Sequence, residues 1–419
     1  MREDIKKRIE AVCQGDMPEG YLRTRAGMMP LDWQSNLSAK DIFRNHTNKK
    51  HNGEFQVLSA TQDRGIIPRS EVDIDIKYAE ENIGSYKKVE AGDFVISLRS
   101  FQGGIEYSEY EGLVSPAYTV LKATRPISDN YYRAYFKTPD FISRLNGAVY
   151  GIRDGKQIGF EDFGELAVHY PPLAEQQKIA DILATCDRLI ELKQQLLEEK
   201  RRQKQWLMQK LLDPNSGVRM PGFECTKWAE MPLASICKFV GGGTPDTSNE
   251  HYWNGTIPWL SSADLQDGNI YNVQATRFIT EEAVKNSATK ICPKDSILIV
   301  SRVGVGKIAI APIDLCTSQD FTNLVDVKGN LYFITLQIQR EIQRILAMSQ
   351  GTSIKGIASK EIKAVTINLP SRGEQDAIAR VLECSDKEID LCEKEIEVWQ
   401  QKKKAMMQLL LTGLVRVNA

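Results

Sequence analysis

The sequence predicts an α+β protein: two globular α/β blocks separated by two long antiparallel helices that form a coiled coil, with internal pseudo-twofold symmetry. Three observations carry this expectation. The stretch Pro171–Asp213 is written a second time as Pro370–Gly413, with Glu175-Gln176 answered by Glu374-Gln375 199 residues later. Each copy has apolar residues at an average spacing near 3.5, which is the period of a left-handed coiled coil. The segments that precede the two copies repeat as well, so the repeating unit is a block plus a helix.

The first seam runs Ile179, Leu183, Cys186, Ile190, Lys193, Leu197, Lys200, Lys204, Leu207, Leu211. The second runs Ile378, Leu382, Ser385, Ile389, Cys392, Ile396, Trp399, Lys403, Met406, Leu410. Proline and a first-turn glutamate mark each start, and Asp213-Pro214 and Thr412-Gly413 mark the stops. A helix of about 38 residues is a rod of roughly 57 Å. Three lysines in the middle of the first seam make it a poor homodimer. The second helix is its better partner, with Trp399 placed to cover lysine stems.

The domain plan follows from these landmarks. Residues 1–170 hold a short helix (Arg2–Gln14) and the first block, and 171–213 the central helix. A turn-rich joint, 214–222, leads to the second block at 223–369, then the distal helix at 370–413 and a tail at 414–419. Within the blocks, Asn52–Ser59 answers Asn254–Ser261 at an offset of 202, and Gly92-Asp-Phe-Val-Ile96 answers Lys294-Asp-Ser-Ile-Leu298 at the same offset. The last two are short β-rich runs after a turn, so strands. Phe160–Leu166 corresponds to Ser359–Val365, each leading into a strand that ends in proline.

Composition excludes several classes. The 26% of charged residues, with no run of about 18 apolar ones, argues against a membrane span. Met1-Arg2-Glu3-Asp4 does not open a secretory signal. Eight scattered cysteines without a C-x-x-C pair suit free thiols in a reducing cytoplasm. His46 and His51 have no cysteine neighbours and make no metal site. A net charge of −1 argues against non-specific coating of nucleic acid but permits a local positive groove.

Catalytic signatures fail in turn. Tyr170-Pro171-Pro172-Leu173 lacks the amide or carboxylate that an amino-methyltransferase puts before its prolines, and the aromatic after them. Gly304-Val-Gly306-Lys307-Ile308 breaks the spacing of a phosphate loop. Glu361-Ile362-Lys363 is half of a nuclease motif without an acidic partner, and reads as a solvated strand edge.

The order block–helix–block–helix, the helix start Pro171-Pro-Leu-Ala-Glu175-Gln176, and Val240-Gly-Gly-Gly243-Thr244-Pro245 followed by Ile257-Pro-Trp-Leu260 together resemble the specificity subunit of type I restriction–modification systems. The likeness spans essentially the whole chain. It departs at Leu369-Pro370-Ser371-Arg372-Gly373, which lacks the double proline, and in block one, where Phe43-Arg-Asn-His-Thr-Asn stands in place of a Gly-x-Thr-Pro loop. The resemblance implies that each block is a target-recognition domain reading one half of a split sequence in double-stranded DNA. It implies helices that set the spacer and dock two modification subunits, with a restriction subunit joining for cleavage. It also implies no cofactor and no catalysis in this chain, S-adenosylmethionine being held by the modification subunits, and a cytoplasmic, membrane-free setting.

Base reading needs Arg, Lys, Asn or Gln at loop tips, and phosphate anchoring needs Ser, Thr, Lys or backbone N–H. The DNA-binding candidates are Lys49, Lys50, Arg64, Arg69 and Arg99 in block one. In block two they are Thr244, Asn249, Ser301, Arg302, Lys307 and Lys355. The partner-binding candidates are Glu175, Gln176, Lys193, Lys200 and Lys204 on the first helix and Glu374, Gln375 and Lys403 on the second. Two other classes remain open: a non-catalytic coiled-coil adaptor, and a restriction or methylation enzyme fused to its own reader.

Overall fold

The computed structural model describes residues 3–61, 64–72, 80–97, 104–147, 158–266, 268–348 and 356–417. It forms two compact units, Met1–Gln194 with Lys394–Ala419, and Gln195–Glu393. The unit boundaries fall inside the two long helices, Leu173–Leu211 and Arg372–Leu411.

Block one, in the first unit, is built on β1 (Phe43–Asn45), β2 (Leu58–Thr61), β3 (Gly65–Pro68), β4 (Lys87–Val89), β5 (Phe94–Ile96), β6 (Ile105–Tyr107), β7 (Gly112–Val114) and β8 (Thr119–Ala123). An antiparallel sheet has the order β1-β8-β5-β6. Beside it, β2 pairs with β3 and β4 with β7, and a parallel bridge between Val57 and Leu113 joins the two pairs.

Block two, in the second unit, has β9 (Lys238–Gly241), β10 (Ile257–Leu260), β11 (Arg277–Ile279), β12 (Ile291–Cys292), β13 (Ile297–Val300), β14 (Ile308–Ile310), β15 (Leu315–Thr317) and β16 (Phe321–Val325). Its sheets are β9-β16-β13-β14, all antiparallel, and β11-β10-β15-β12, in which only β10 and β15 run parallel. Each of these eight strands of block one therefore has a counterpart eight strands on, with the same neighbours and the same directions; the hairpin Tyr21–Thr24/Gly27–Pro30 and the pair Ala229–Pro232/Thr366–Leu369 lie outside this correspondence. The turn before β5 shows why the sequences can differ. Gly92 takes a left-handed φ of 102°, and at the matching place before β13 Asp295 takes φ 66°. Gly and Asp are among the residues that enter this region at least cost.

The helical layers diverge. In block two Leu331–Met348 is one helix. In block one Pro139 ends the run, giving Asp129–Tyr135 and Pro139–Gly147, because proline has no N–H to donate and disfavours helix in the residue before it. The core of block one is aromatic, with Phe43, Phe94, Tyr132, Phe136, Phe141 and Phe163 buried against Ile179, Leu183 and Leu410. That of block two is aliphatic, with Ile297, Ile299, Ile308, Leu324 and Phe333 against Leu211, Ile378 and Leu382. Each block thus buries the first turns of one long helix and the last turn of the other.

The long-helix segments are antiparallel within each unit. In the first unit Lys193 reaches Glu395 at 2.7 Å and Lys403 pairs with Asp187. In the second, Lys200 reaches Glu388 at 2.7 Å, Arg201 reaches Glu393 at 2.8 Å and Lys204 pairs with Asp386. The lysine pairs set the direction: from Asp187 to Lys193 the partner falls from Lys403 to Glu395, and from Lys200 to Lys204 it falls from Glu388 to Asp386. Two local expectations are corrected. Trp399 takes its cation from its own helix, Lys402 lying 4.6 Å from the ring centroid. Glu361-Ile362-Lys363 is no strand edge but part of the helix Ser359–Lys363, where Glu361 Oε2 accepts the Ala358 N–H at 2.7 Å and caps the first turn.

Candidate nucleic-acid interface and helix junctions

In block two, β9 runs straight into Gly241-Gly242-Gly243. The Gly243 N–H donates to the Thr317 carbonyl at 2.8 Å, and its own carbonyl accepts from Trp259 Nε1 and Thr289 Oγ1, both at 2.9 Å. A Cβ on Gly242 would stand 1.9 Å from the Ser318 carbonyl oxygen, and one on Gly243 2.4 Å from the backbone of Ala288 and Thr289. These two glycines let three backbone segments touch; a Cβ on Gly241 would meet nothing within 4 Å. Beyond them Thr244 Oγ1 donates to the Gln319 side chain, Trp253 Nε1 donates to the Asp246 carbonyl at 3.1 Å, and Asn249 Oδ1 accepts the His251 N–H at 3.1 Å. Thr244 and Asn249 therefore share one pinned loop.

The other block-two candidates lie around the β13–β14 turn. Ser301 is buried and donates to the Asp320 carbonyl at 2.9 Å. Lys307 is an internal strut, its Nζ donating to the carbonyls of Leu265 at 2.8 Å and Ser262 at 3.3 Å. Arg302 is exposed and makes no ion pair among the described residues. In block one Lys49 and Lys50 are exposed on the loop after β1. Arg64 is tied to Glu71 at 2.6 Å, and Arg69 donates its backbone N–H to the Val57 carbonyl at 2.9 Å. Arg99 and Lys355 lie outside the described residues.

One cation escaped the sequence reading. Arg277, exposed on β11, lies 4.3 Å from the ring centroid of Trp259 and 5.4 Å from that of Trp253. Nearby Asp264 feels its charge. Burial works to raise the carboxyl of Asp264, but hydrogen bonds from Thr276 and Ser261, helped by Arg277, hold it below its ordinary range.

The residues expected to meet partner subunits turn inward. Gln176 Nε2 donates to the Pro171 carbonyl at 2.8 Å while its Oε1 accepts the Ser128 N–H at 2.9 Å. Gln375 repeats this, donating to Pro370 at 2.9 Å and accepting from Asn330 at 2.9 Å. Glu175 accepts from Trp33 Nε1 at 2.9 Å and from Arg416 at 2.7 and 2.8 Å. Glu374 accepts from Thr226 Oγ1 at 2.6 Å. All four side chains are buried, so they fasten helix starts to blocks instead of presenting a docking face. Lys193, Lys200, Lys204 and Lys403 sit in the ion pairs between the helices. Among the many charged residues that the long helices expose stand large apolar ones: Leu173, Leu192, Leu196, Trp206, Leu391 and Val398.

Two blocks of one topology, each fastened to a long helix by the same glutamine clamp, define a protein built by internal duplication. The family model for the type I restriction modification DNA specificity domain matches residues 34–200 and again 226–399. The chain belongs to that family, with two copies of its domain. A relative from Methanocaldococcus jannaschii, named as the specificity subunit of the type I restriction enzyme MjaX, is 27% identical over 96% of this chain and 97% of its own length. The EcoR124I/EcoR124II specificity subunit of Escherichia coli is 32% identical over 40% of this chain and 46% of its own. Among solved structures, the HsdS subunit from Thermoanaerobacter tengcongensis shares the fold with a TM-score of 0.51 at 16% identity, covering 96% of this chain and 98% of that one. A chain from a type I restriction–modification assembly does so with a TM-score of 0.57 at 15% identity, covering 91% and 100%.

Proposed function

We propose that this chain is the DNA-specificity subunit of a type I restriction–modification complex, each block reading one half of a bipartite target. The observation that carries the reading is the identical strand order of two blocks whose sequences both match the DNA specificity domain. A shared scaffold with different loops is what two independent readers of different half-sites require. The helices hold those readers in register, which a flexible linker could not do because its span fluctuates.

Catalysis belongs to other subunits in this reading. S-adenosylmethionine sits in two modification subunits, and a restriction subunit joins them. We place their docking on the exposed apolar residues of the long helices, Leu192, Leu196, Trp206, Leu391 and Val398, and not on the lysines, which are already paired. The setting is cytoplasmic; among the described residues no helix is long and apolar enough to cross a membrane. The test is exchange of block two (223–369) for that of a relative, followed by methylation-site mapping. One half of the recognised sequence should change while the other stays. A change in both halves, or in neither, overturns the reading, and a wild-type complex without sequence preference would leave a coiled-coil adaptor in its place.

A further inference from the structure

β10 and β11 pair with Trp259 opposite Arg277. The rings of Trp253 and Trp259 meet edge-on at 5.0 Å and 86°, and both indole N–H groups are tied to backbone carbonyls of the Gly243–Asp246 loop. Arg277 therefore lies over a fixed aromatic corner while remaining exposed. Among the described residues its guanidinium makes no hydrogen bond or ion pair, and Asp264 has its oxygens occupied by Ser261 and Thr276 at 2.7 Å. A guanidinium restrained by cation–π contact keeps its fork of N–H donors and loses less freedom when it binds. Two parallel donors fit a planar pair of acceptors, as on a guanine edge or a phosphate.

Block one supplies an independent observation. Val57 bridges Leu113 in parallel, as Trp259 bridges Cys316. Across from Val57, in continuation of the β2–β3 register, stands Arg69, whose N–H donates to the Val57 carbonyl at 2.9 Å. Arg69 thus holds the place in block one that Arg277 holds in block two. Their separation in sequence is 208 residues, off the offset of 202 that links the preceding strands, because the β10–β11 connection is longer than the β2–β3 turn.

We infer that Arg277 is a direct DNA contact of block two, offering paired donors to a planar acceptor pair, a guanine edge or a phosphate, on the second half-site, with Arg69 as its counterpart on the first. The inference rests on the DNA-reading function proposed above. R277K keeps the charge and loses the fork; R277M keeps the packing stem and loses both. Each is assembled as full chain with modification subunits, its fold checked by circular dichroism, and titrated with duplexes varied at each half-site at two salt concentrations. Loss of one bidentate pair should weaken cognate binding by roughly ten- to a hundredfold. Relaxed preference at one base pair of the second half-site identifies a guanine. Uniform weakening with a salt slope shallower by about one identifies a phosphate. R69K should act on the first half-site alone. A folded R277M complex with wild-type affinity and preference overturns the inference. A wild-type complex that prefers no sequence would instead sink the function beneath it.

Discussion

In the first unit Glu175 accepts from Trp33 and from two nitrogens of Arg416, which also grips Asp32 at 2.7 and 2.8 Å. In the second unit the matching Glu374 accepts from Thr226, and its Oε1, like Trp228 Nε1, is buried with no hydrogen-bond partner among the described residues. Arg219 lies over Trp228 as Arg416 lies over Trp33, with centroid distances of 5.3 and 5.8 Å, yet Arg219 donates to the carbonyls of Pro214 and Val218. The glutamine clamp beside each glutamate is the same in both units. The clamp is thus the shared framework, and the electrostatics around the carboxylate are where the copies parted. A buried acceptor left unmade carries a cost of about 1–3 kcal/mol, so the first junction is the better satisfied of the two.

That contrast can be broken by substitution. Glu175→Ala leaves Arg416 facing Asp32 alone and Trp33 Nε1 buried, and should cost the first unit about 3 kcal/mol. Glu374→Gln, which turns one oxygen into a donor, should change the second by about 1 kcal/mol or less. Hydrogen-exchange protection mapped onto each unit is the measurement, and equal losses would erase the distinction. Next in size is Gly242→Ala, whose Cβ would collide with backbone and should cost about 2–3 kcal/mol. It should impair reading of the second half-site only, because the collision, with the Thr317-Ser318 backbone, lies wholly within block two. Gly241→Ala is the control and should be silent. Smaller again is Lys204→Glu, which sets like charges together at a half-buried pair with Asp386 and should cost about 2 kcal/mol in the helix pair. Lys204→Met should be close to neutral, and thermal melting of the two variants separates the charge from the packing.

The repeat and the helix seam were legible in the sequence because each is a local period or a constant offset. β5 and β13 were legible as strands, but their pairing matches Phe94 with Ile297 and Gly92 with Asp295, one residue off the expected offset of 202. The Arg69–Arg277 equivalence was not, since unequal connections shift the register and only strand pairing restores it. Lysines at seam positions looked available to a partner because one sequence copy does not display Glu388, Glu395 and Asp386 facing them. Glu175 and Gln176 were rightly singled out as a motif but assigned to the wrong surface. A motif shared by both copies served the fold's own junction, and burial is what separates the two readings. The break at Pro139 was not read from the sequence, and the aromatic packing around it depends on contacts far apart along the chain.

The finest contrast concerns the ends of the long helices. Leu411 ends one in the first unit, and its carbonyl meets His169 Nδ1 at 3.0 Å, which sets the proton on that nitrogen. Leu212, just past the other in the second unit, has its carbonyl served by Gln337 at 2.9 Å and Arg340 at 2.5 Å, neither of which titrates near neutrality. Burial pushes the His169 imidazole below its ordinary value, with Arg144 acting the same way and Asp140 and the Leu411 carbonyl opposing. The unfolded chain therefore takes up a proton near pH 6.5 that the folded unit resists. The stability this buried neutral ring preserves is present above that range and is lost as pH falls through it. Acidification from pH 7.5 to 5.5 should weaken protection of the Leu411 end by about 1 kcal/mol and leave the Leu212 end unmoved. His169→Gln, which retains a donor for the carbonyl and cannot titrate, should flatten that dependence. A slope that survives the substitution would place the titrating group elsewhere.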